Sequence, residues 1–202
     1  MDVFDREKAY IDRVLQPLAE NRPGLRIVFE HITTRDAVQF VLASSSKVAA
    51  TLTPQHLLMD RGAIFQGGLR PHHYCLPVLK RAEHRFALLE AATSGDARFF
   101  LGTDSAPHAV HAKEAARCCA GIYSSHAGIE LYAEAFESAG ALHRLEGFAS
   151  HHGADFYRLP RNTERIQLVR DPWTAPLSYP YGTDELRPLR AGESIAWRLQ
   201  AQ

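Results

Sequence analysis

The stretch Arg98-Phe99-Phe100-Leu101-Gly102-Thr103-Asp104-Ser105-Ala106-Pro107-His108 joins a short apolar run to a carboxylate, a proline turn and a histidine. Phe99 to Leu101, closed by Gly102, has the unbroken apolar character of a parallel strand buried on both faces. Asp104 falls just past the carboxyl end of that strand, where barrel and open α/β folds gather their ligands. It is a candidate metal ligand or proton acceptor, and His108 is near enough in the chain to share its pocket. The same pattern also suits a plain turn former or a helix N-cap, because Asp, Ser and Pro serve both.

Working outward, the chain alternates helices and strands. Phe4, Ala9, Ile11, Val14, Leu15 and Leu18 recur at helical spacing, which predicts an amphipathic helix over 4–21 that Pro23-Gly24 ends. Residues 25–30 read as a strand with His31 at its end. Thr33 or Thr34 can cap a helix over 35–43, and 47–52 read as a second strand. The segment 53–78 carries Gly62, Gly67, Gly68, Pro71 and Pro77 and reads as a long loop, a length that is usually functional. A helix over 80–93, the strand 97–101, a loop over 104–126, a helix over 127–139 and short helices over 143–157 follow. The tail, 160–202, reads as short strands at Ile166 to Val169 and Ile195 to Leu199 around a proline-rich stretch.

This order marks parallel βαβ units in the α/β class. A complete (β/α)₈ barrel takes about 250 residues, and this chain of 202 spends its last forty or so on a non-barrel tail. Eight strands do not fit. The expectation is an incomplete barrel over 1–159 and an extension over 160–202 packed upon it.

Lys+Arg and Asp+Glu both number 23, so the formal charge is zero and nothing favours nucleic acid or an anionic membrane as partner. No apolar run is long enough to cross a bilayer, and the charged start, Met1 to Arg13, does not resemble a secretory leader. Cys75, Cys118 and Cys119 form no Cys-x-x-Cys pair, which fits a reducing, cytoplasmic setting. The adjacent Cys118 and Cys119 are read as loop residues, because thiolate metal sites want spaced pairs.

Five words carry a resemblance: Phe-Glu-His-Ile-Thr-Thr at 29–34, Thr-Pro-Gln-His-Leu-Leu at 53–58, Arg-Pro-His-His-Tyr-Cys-Leu-Pro at 70–77, Gly-Thr-Asp-Ser-Ala-Pro-His at 102–108 and Cys-Cys-Ala-Gly at 118–121. In unbroken order from about Val3 to the C-terminus, the chain resembles the later part of dihydroorotase, the single-domain bacterial type of the amidohydrolase superfamily. The resemblance implies a metal-dependent TIM barrel and a zinc-dependent hydrolase of cyclic amides. Its reaction would be the reversible interconversion of N-carbamoyl-L-aspartate and dihydroorotate in pyrimidine biosynthesis, with two zinc ions bridged by a carbamylated lysine and a homodimer as the complete enzyme. It implies His31 and Asp104 as metal ligands, and Asp104 also as the group that takes and returns the proton. It implies that His108 binds the substrate carboxylate, and that the backbones of Leu76 and Ala120 hold the pyrimidine ring. On their own residues, Leu76 and Ala120 read only as loop packing. His31 alone reads as a core or capping histidine as readily as a ligand.

His56, His72, His73 and His111 are expected to position loops, and His84, His151 and His152 to lie on helix surfaces. The chain departs from the family words at His73, where an apolar residue is expected, and at Arg117, where a cysteine is. The family's opening His-x-His pair, its nearby arginine and asparagine, its bridging lysine and a further histidine are not found, and Lys47, Lys80 and Lys113 lack the bridging lysine's context. Met1 is expected to stand in mid-barrel, with the remaining ligands encoded elsewhere. Since a catalytic zinc normally has three protein ligands, the chain alone is expected to bind zinc weakly, turn over negligibly, and be marginally stable or oligomeric through open strand edges. Two alternatives stand beside this: a non-catalytic pyrimidine-binding or regulatory module pairing with a full-length subunit, and a different metal-dependent amidohydrolase.

Overall fold

The protein was analysed as a computed structural model that describes residues 1–200. Three strands, β1 (Ile27–Phe29), β2 (Val48–Leu52) and β3 (Phe99–Leu101), form a parallel sheet in the order β1-β2-β3. Ile27 pairs with Val48, Ala50 with Phe99 and Leu52 with Leu101. The central β2, Val-Ala-Ala-Thr-Leu, is buried at every position, as its uninterrupted run of small and apolar residues requires.

The N-terminal helix is α1 (Arg6–Tyr10) and α2 (Gln16–Asn21), joined by a π-helical turn at Ile11–Leu15 whose two apolar ends are buried. The crossover from β1 to β2 is α3 (Arg35–Ala43), capped by Thr34, whose hydroxyl accepts from the Ala37 N–H at 3.1 Å. The crossover from β2 to β3 contains α4 (Pro54–Leu58), capped by Thr53, and α5 (Ala82–Thr93). The expected loop 53–78 is therefore partly helical. Thr53 as N-cap with Pro54 in the first turn is a start signal that the many glycines beyond it obscured.

After β3 come α6 (Val110–Lys113), α7 (Gly128–Ser138) and α8 (His152–Tyr157). Val41, Ala50, Leu52, Phe99, Tyr132, Phe136 and Phe148 are core residues from sheet and helices. Tyr132 is fully buried, and its hydroxyl donates to the Leu52 carbonyl at 2.6 Å, fastening α7 to the end of β2.

The tail makes three antiparallel pairs: β4 (Gln167–Val169) with β9 (Arg198–Gln200), β5 (Trp173–Thr174) with β8 (Ser194–Ile195), and β6 (Tyr179–Tyr181) with β7 (Asp184–Leu186). The strand expected over Ile195 to Leu199 is split in two. One face of α7 is the cause: Glu134 accepts from the Ala196 N–H at 2.7 Å, Glu137 from the Trp197 indole at 3.1 Å and Glu130 from the Leu199 N–H at 3.2 Å. These carboxylates, spaced along one helix face, take the donor that a continuous ladder would have used. No helix of the described residues is long and apolar enough to cross a membrane.

Candidate active site

His31 and Asp104 stand at the carboxyl ends of β1 and β3, on either side of Thr51 in β2. Both have left-handed backbone, φ 43° and 44°, a conformation uncommon outside glycine and concentrated where a site over-determines the chain. The His31 N–H donates to the Thr51 hydroxyl at 2.7 Å. Thr51 also explains Gly102: a Cβ there would lie 2.6 Å from the Thr51 Cβ. The His31 Nδ1 is buried with no hydrogen-bond partner among the described residues. Asp104 is open to water on one side, while burial on the other raises its carboxyl above the ordinary range; His31 pulls it back and Glu30 pushes it further up.

Behind His31 lies a contact that sequence reading missed. Glu7 of α1 is 8% exposed. Its carboxylate accepts from the Thr33 N–H at 3.0 and 2.9 Å, the Thr33 hydroxyl at 2.6 Å and the Thr34 hydroxyl at 2.6 Å. The turn that carries His31 is thus anchored to the N-terminal helix by charge-assisted bonds. The only signal in the sequence was the pair of adjacent threonines, which served equally well as a helix cap.

Leu76, His108 and Ala120 lie in loops tied to one another. The His108 Nε2–H donates to the Ala120 carbonyl at 3.0 Å, and the Gly121 N–H donates to the Tyr74 carbonyl at 3.0 Å, two residues before the exposed Leu76. Gly121 is irreplaceable by geometry: its φ is +150°, and a Cβ would lie 2.7 Å from the Ala106 carbonyl oxygen and 2.8 Å from the His108 ring.

The loop histidines each hold a neighbour. His56, fully buried, donates from Nε2 to the Pro77 carbonyl at 2.9 Å and accepts the Thr53 hydroxyl at Nδ1 at 2.7 Å. His72 reaches Glu114 at 2.9 Å, His73 donates to the Ala63 carbonyl at 2.9 Å, and His111 reaches Asp184 at 3.2 Å. The helix histidines depart from the surface reading. All three are half-buried; His152 donates to the Phe99 carbonyl at 3.0 Å, and the His84 Nδ1 accepts from the Arg35 N–H at 3.0 Å. Helix periodicity alone could not show that their outward faces meet a neighbouring element.

The donors fit a metal in kind, since His31 offers a buried, unpartnered ring nitrogen and Asp104 a carboxylate. They fall short in number: among the described residues no three His, Cys, Asp or Glu side chains come together, whereas a catalytic zinc takes three. The described residues do not build a complete metal centre.

The profile of the Amidohydrolase family matches residues 1–178. The chain belongs to the amidohydrolase family. This amidohydrolase is 67% identical over 199 residues to the dihydroorotase of Laribacter hongkongensis, covering 98% of this chain and 58% of that protein. It is 65% identical to the dihydroorotase of Nitrosomonas europaea, covering 98% and 57%. Among solved structures it resembles the Saccharomyces cerevisiae dihydroorotase crystallised with 5-fluoroorotic acid, with a TM-score of 0.89 and 32% identity over 99% of this chain and 58% of that one. The Campylobacter jejuni dihydroorotase gives a TM-score of 0.89 and 30% identity, with the same coverage. An L-hydantoinase from Arthrobacter aurescens, at 20% identity and TM-score 0.78, shares the fold. The chain thus spans somewhat over half the length of the relatives it matches, and its architecture is that of a partial TIM barrel.

Proposed function

We propose that this amidohydrolase is the C-terminal part of a dihydroorotase, and that its residues serve the reversible ring opening of dihydroorotate to N-carbamoyl-L-aspartate. The observation that carries the reading is the pairing of His31 and Asp104, both held in left-handed backbone at strand ends, beside loops that His108 and Ala120 tie together. His31 and Asp104 would each give one donor to a two-zinc centre that further donors complete, where the ions would activate water and polarise the ring carbonyl. Asp104, a carboxylate just past the end of β3, is placed to take a proton and return it to the ring nitrogen. His108, its Nε2–H held by the Ala120 carbonyl, is the side chain placed to receive a substrate carboxylate. The backbones of Leu76 and Ala120 offer fixed donors and acceptors to a planar amide ring.

In this reading 1–159 form the last units of a barrel and 160–202 an extension on it. The complete enzyme is cytoplasmic and homodimeric, without nucleic acid or membrane partners.

Two measurements test the proposal. Calorimetric titration of the chain alone is expected to give weak, substoichiometric zinc binding; tight binding of two ions would refute the division of ligands. The chain mixed with a polypeptide covering the remaining part of the Laribacter hongkongensis relative is expected to hydrolyse dihydroorotate, and this activity is expected to disappear with Asp104→Asn. Activity that persists in Asp104→Asn would overturn the assignment.

A further inference from the structure

Lys113 ends α6 at 2% exposure, and no carboxylate among the described residues pairs with it. Its ammonium donates to three main-chain carbonyls: Tyr74 at 2.8 Å, Cys119 at 2.8 Å and Gly121 at 2.7 Å. An ammonium has three protons, so its donor capacity is fully used within the fold. The three carbonyls belong to two loops distant in sequence. Tyr74 lies two residues before Leu76, while Cys119 and Gly121 flank Ala120 on both sides. The Gly121 N–H returns to the same Tyr74 carbonyl, which makes a closed ring of Lys113, Tyr74 and Gly121. The other buried lysine, Lys80, differs: its ammonium donates to the Val78 carbonyl at 2.8 Å, two residues away in its own segment.

A buried charge is tolerated only when its protons are fully bonded, and carbonyls oriented toward a charge are held more firmly than by neutral donors. An apolar side chain could fill the same space. It would take this donor from the Cys119 and Gly121 carbonyls and leave the Tyr74 carbonyl with the Gly121 N–H.

We propose that Lys113 is a positioning residue for substrate binding: its ammonium acts as a built-in cation that clamps the carbonyls around Leu76 and Ala120 and so sets the two backbones that receive the ring. This rests on the dihydroorotase reading for the identity of the ring, and on the three hydrogen bonds for the clamp.

The test uses the full chain with Lys113→Met and Lys113→Ala, orotate as the probe, and amide hydrogen exchange of residues 74–77 and 118–122. In Lys113→Met, exchange is expected to rise in both segments together, and orotate affinity to fall about tenfold or more, as the loss of charge-assisted bonds implies. In Lys113→Ala, ethylammonium is expected to restore protection and affinity, whereas ethanol, which lacks the charge, is not. Protection and affinity unchanged in Lys113→Met would overturn the proposal. Equal rescue by ethanol would do the same, since it would reduce Lys113 to packing. If the unmodified chain does not bind orotate, affinity is read in its mixture with the remaining Laribacter hongkongensis polypeptide, where absence of binding would defeat the functional reading, while exchange and amine rescue still decide the clamp. If neither variant folds, the unmodified chain decides through the nitrogen resonance of the Lys113 ammonium. That resonance is expected to shift when orotate moves the Leu76 and Ala120 amides, and a silent resonance would refute the clamp.

Discussion

Acidification should destabilise this protein through His56. The ring is fully buried, and its tautomer is set by its partners, since the Pro77 carbonyl can only accept and so fixes the proton on Nε2. Burial pushes its pKa down to about 3, with the charges of Lys80 and His31 adding to the shift, while the bond to Pro77 opposes it. In the unfolded chain the same ring titrates near 6.5. Between those values the unfolded state holds a proton that the folded state does not. Stability is therefore complete above about pH 6.5 and is lost as the pH falls toward 3. At pH 4.5 the two units below 6.5 cost about 3 kcal/mol, at roughly 1.4 kcal/mol per unit, a large share of a typical folding free energy of about 5–15 kcal/mol. The assay is urea unfolding at pH 7.0 and pH 4.5 for the unmodified chain and for His56→Gln, whose amide can still donate to Pro77. Burial also lowers His126, to about 4, but His126 is common to both proteins and cancels in the comparison. The unmodified chain should lose about 3 kcal/mol more than His56→Gln over this window. Parallel losses in the two proteins would refute the reasoning.

Three further outcomes follow from contacts already described. Glu7→Ala should destabilise the chain by about 3 kcal/mol or more, because it strips a buried N–H and two hydroxyls of their acceptor; a loss under about 1 kcal/mol in urea unfolding would show that water replaces the carboxylate. Gly121→Ala should cost about 2–4 kcal/mol from the left-handed backbone and the overlap with Ala106 and His108, and it should abolish the protection of the Ala120 segment in hydrogen exchange. Tyr132→Phe should cost only about 1 kcal/mol, since the Leu52 carbonyl keeps the Gly102 N–H at 3.3 Å; a loss several times larger in thermal unfolding would mean that the hydroxyl holds more than this carbonyl.

The parallel strands were legible because each is a short apolar run whose neighbours in sequence decide it. Phe99 to Leu101 and Val48 to Leu52 stand where periodicity puts them. The tail was less legible: Ile195 to Leu199 has strand composition, yet Glu134 reaches across from α7 and takes the Ala196 N–H. Of the candidate site, His31, Asp104 and His108 announced themselves by type and by place in recognisable words. Leu76 and Ala120 did so only through those words, because a backbone contact leaves no trace in the side chain. Glu7, Thr51 and Lys113 were silent, whereas His56 was expected to position a loop and does hold the Pro77 carbonyl. Nothing in the local sequence separates a glutamate, threonine or lysine that solvates a surface from one that closes a buried network.

Taken alone, the order of residues determined the class of fold, the strand ends where chemistry belongs, and kinship with the amidohydrolases, since these depend on patterns a few residues long or on words kept intact. Tertiary structure decided which polar groups meet: that Glu7 holds the turn of His31, that Lys113 joins the loop of Tyr74 to that of Cys119 and Gly121, and that His31 and Asp104 share left-handed backbone across one sheet. The reason is physical. Apolar periodicity is written along the chain, whereas the partner of a buried charge is fixed only when folding removes water and leaves it one set of neighbours.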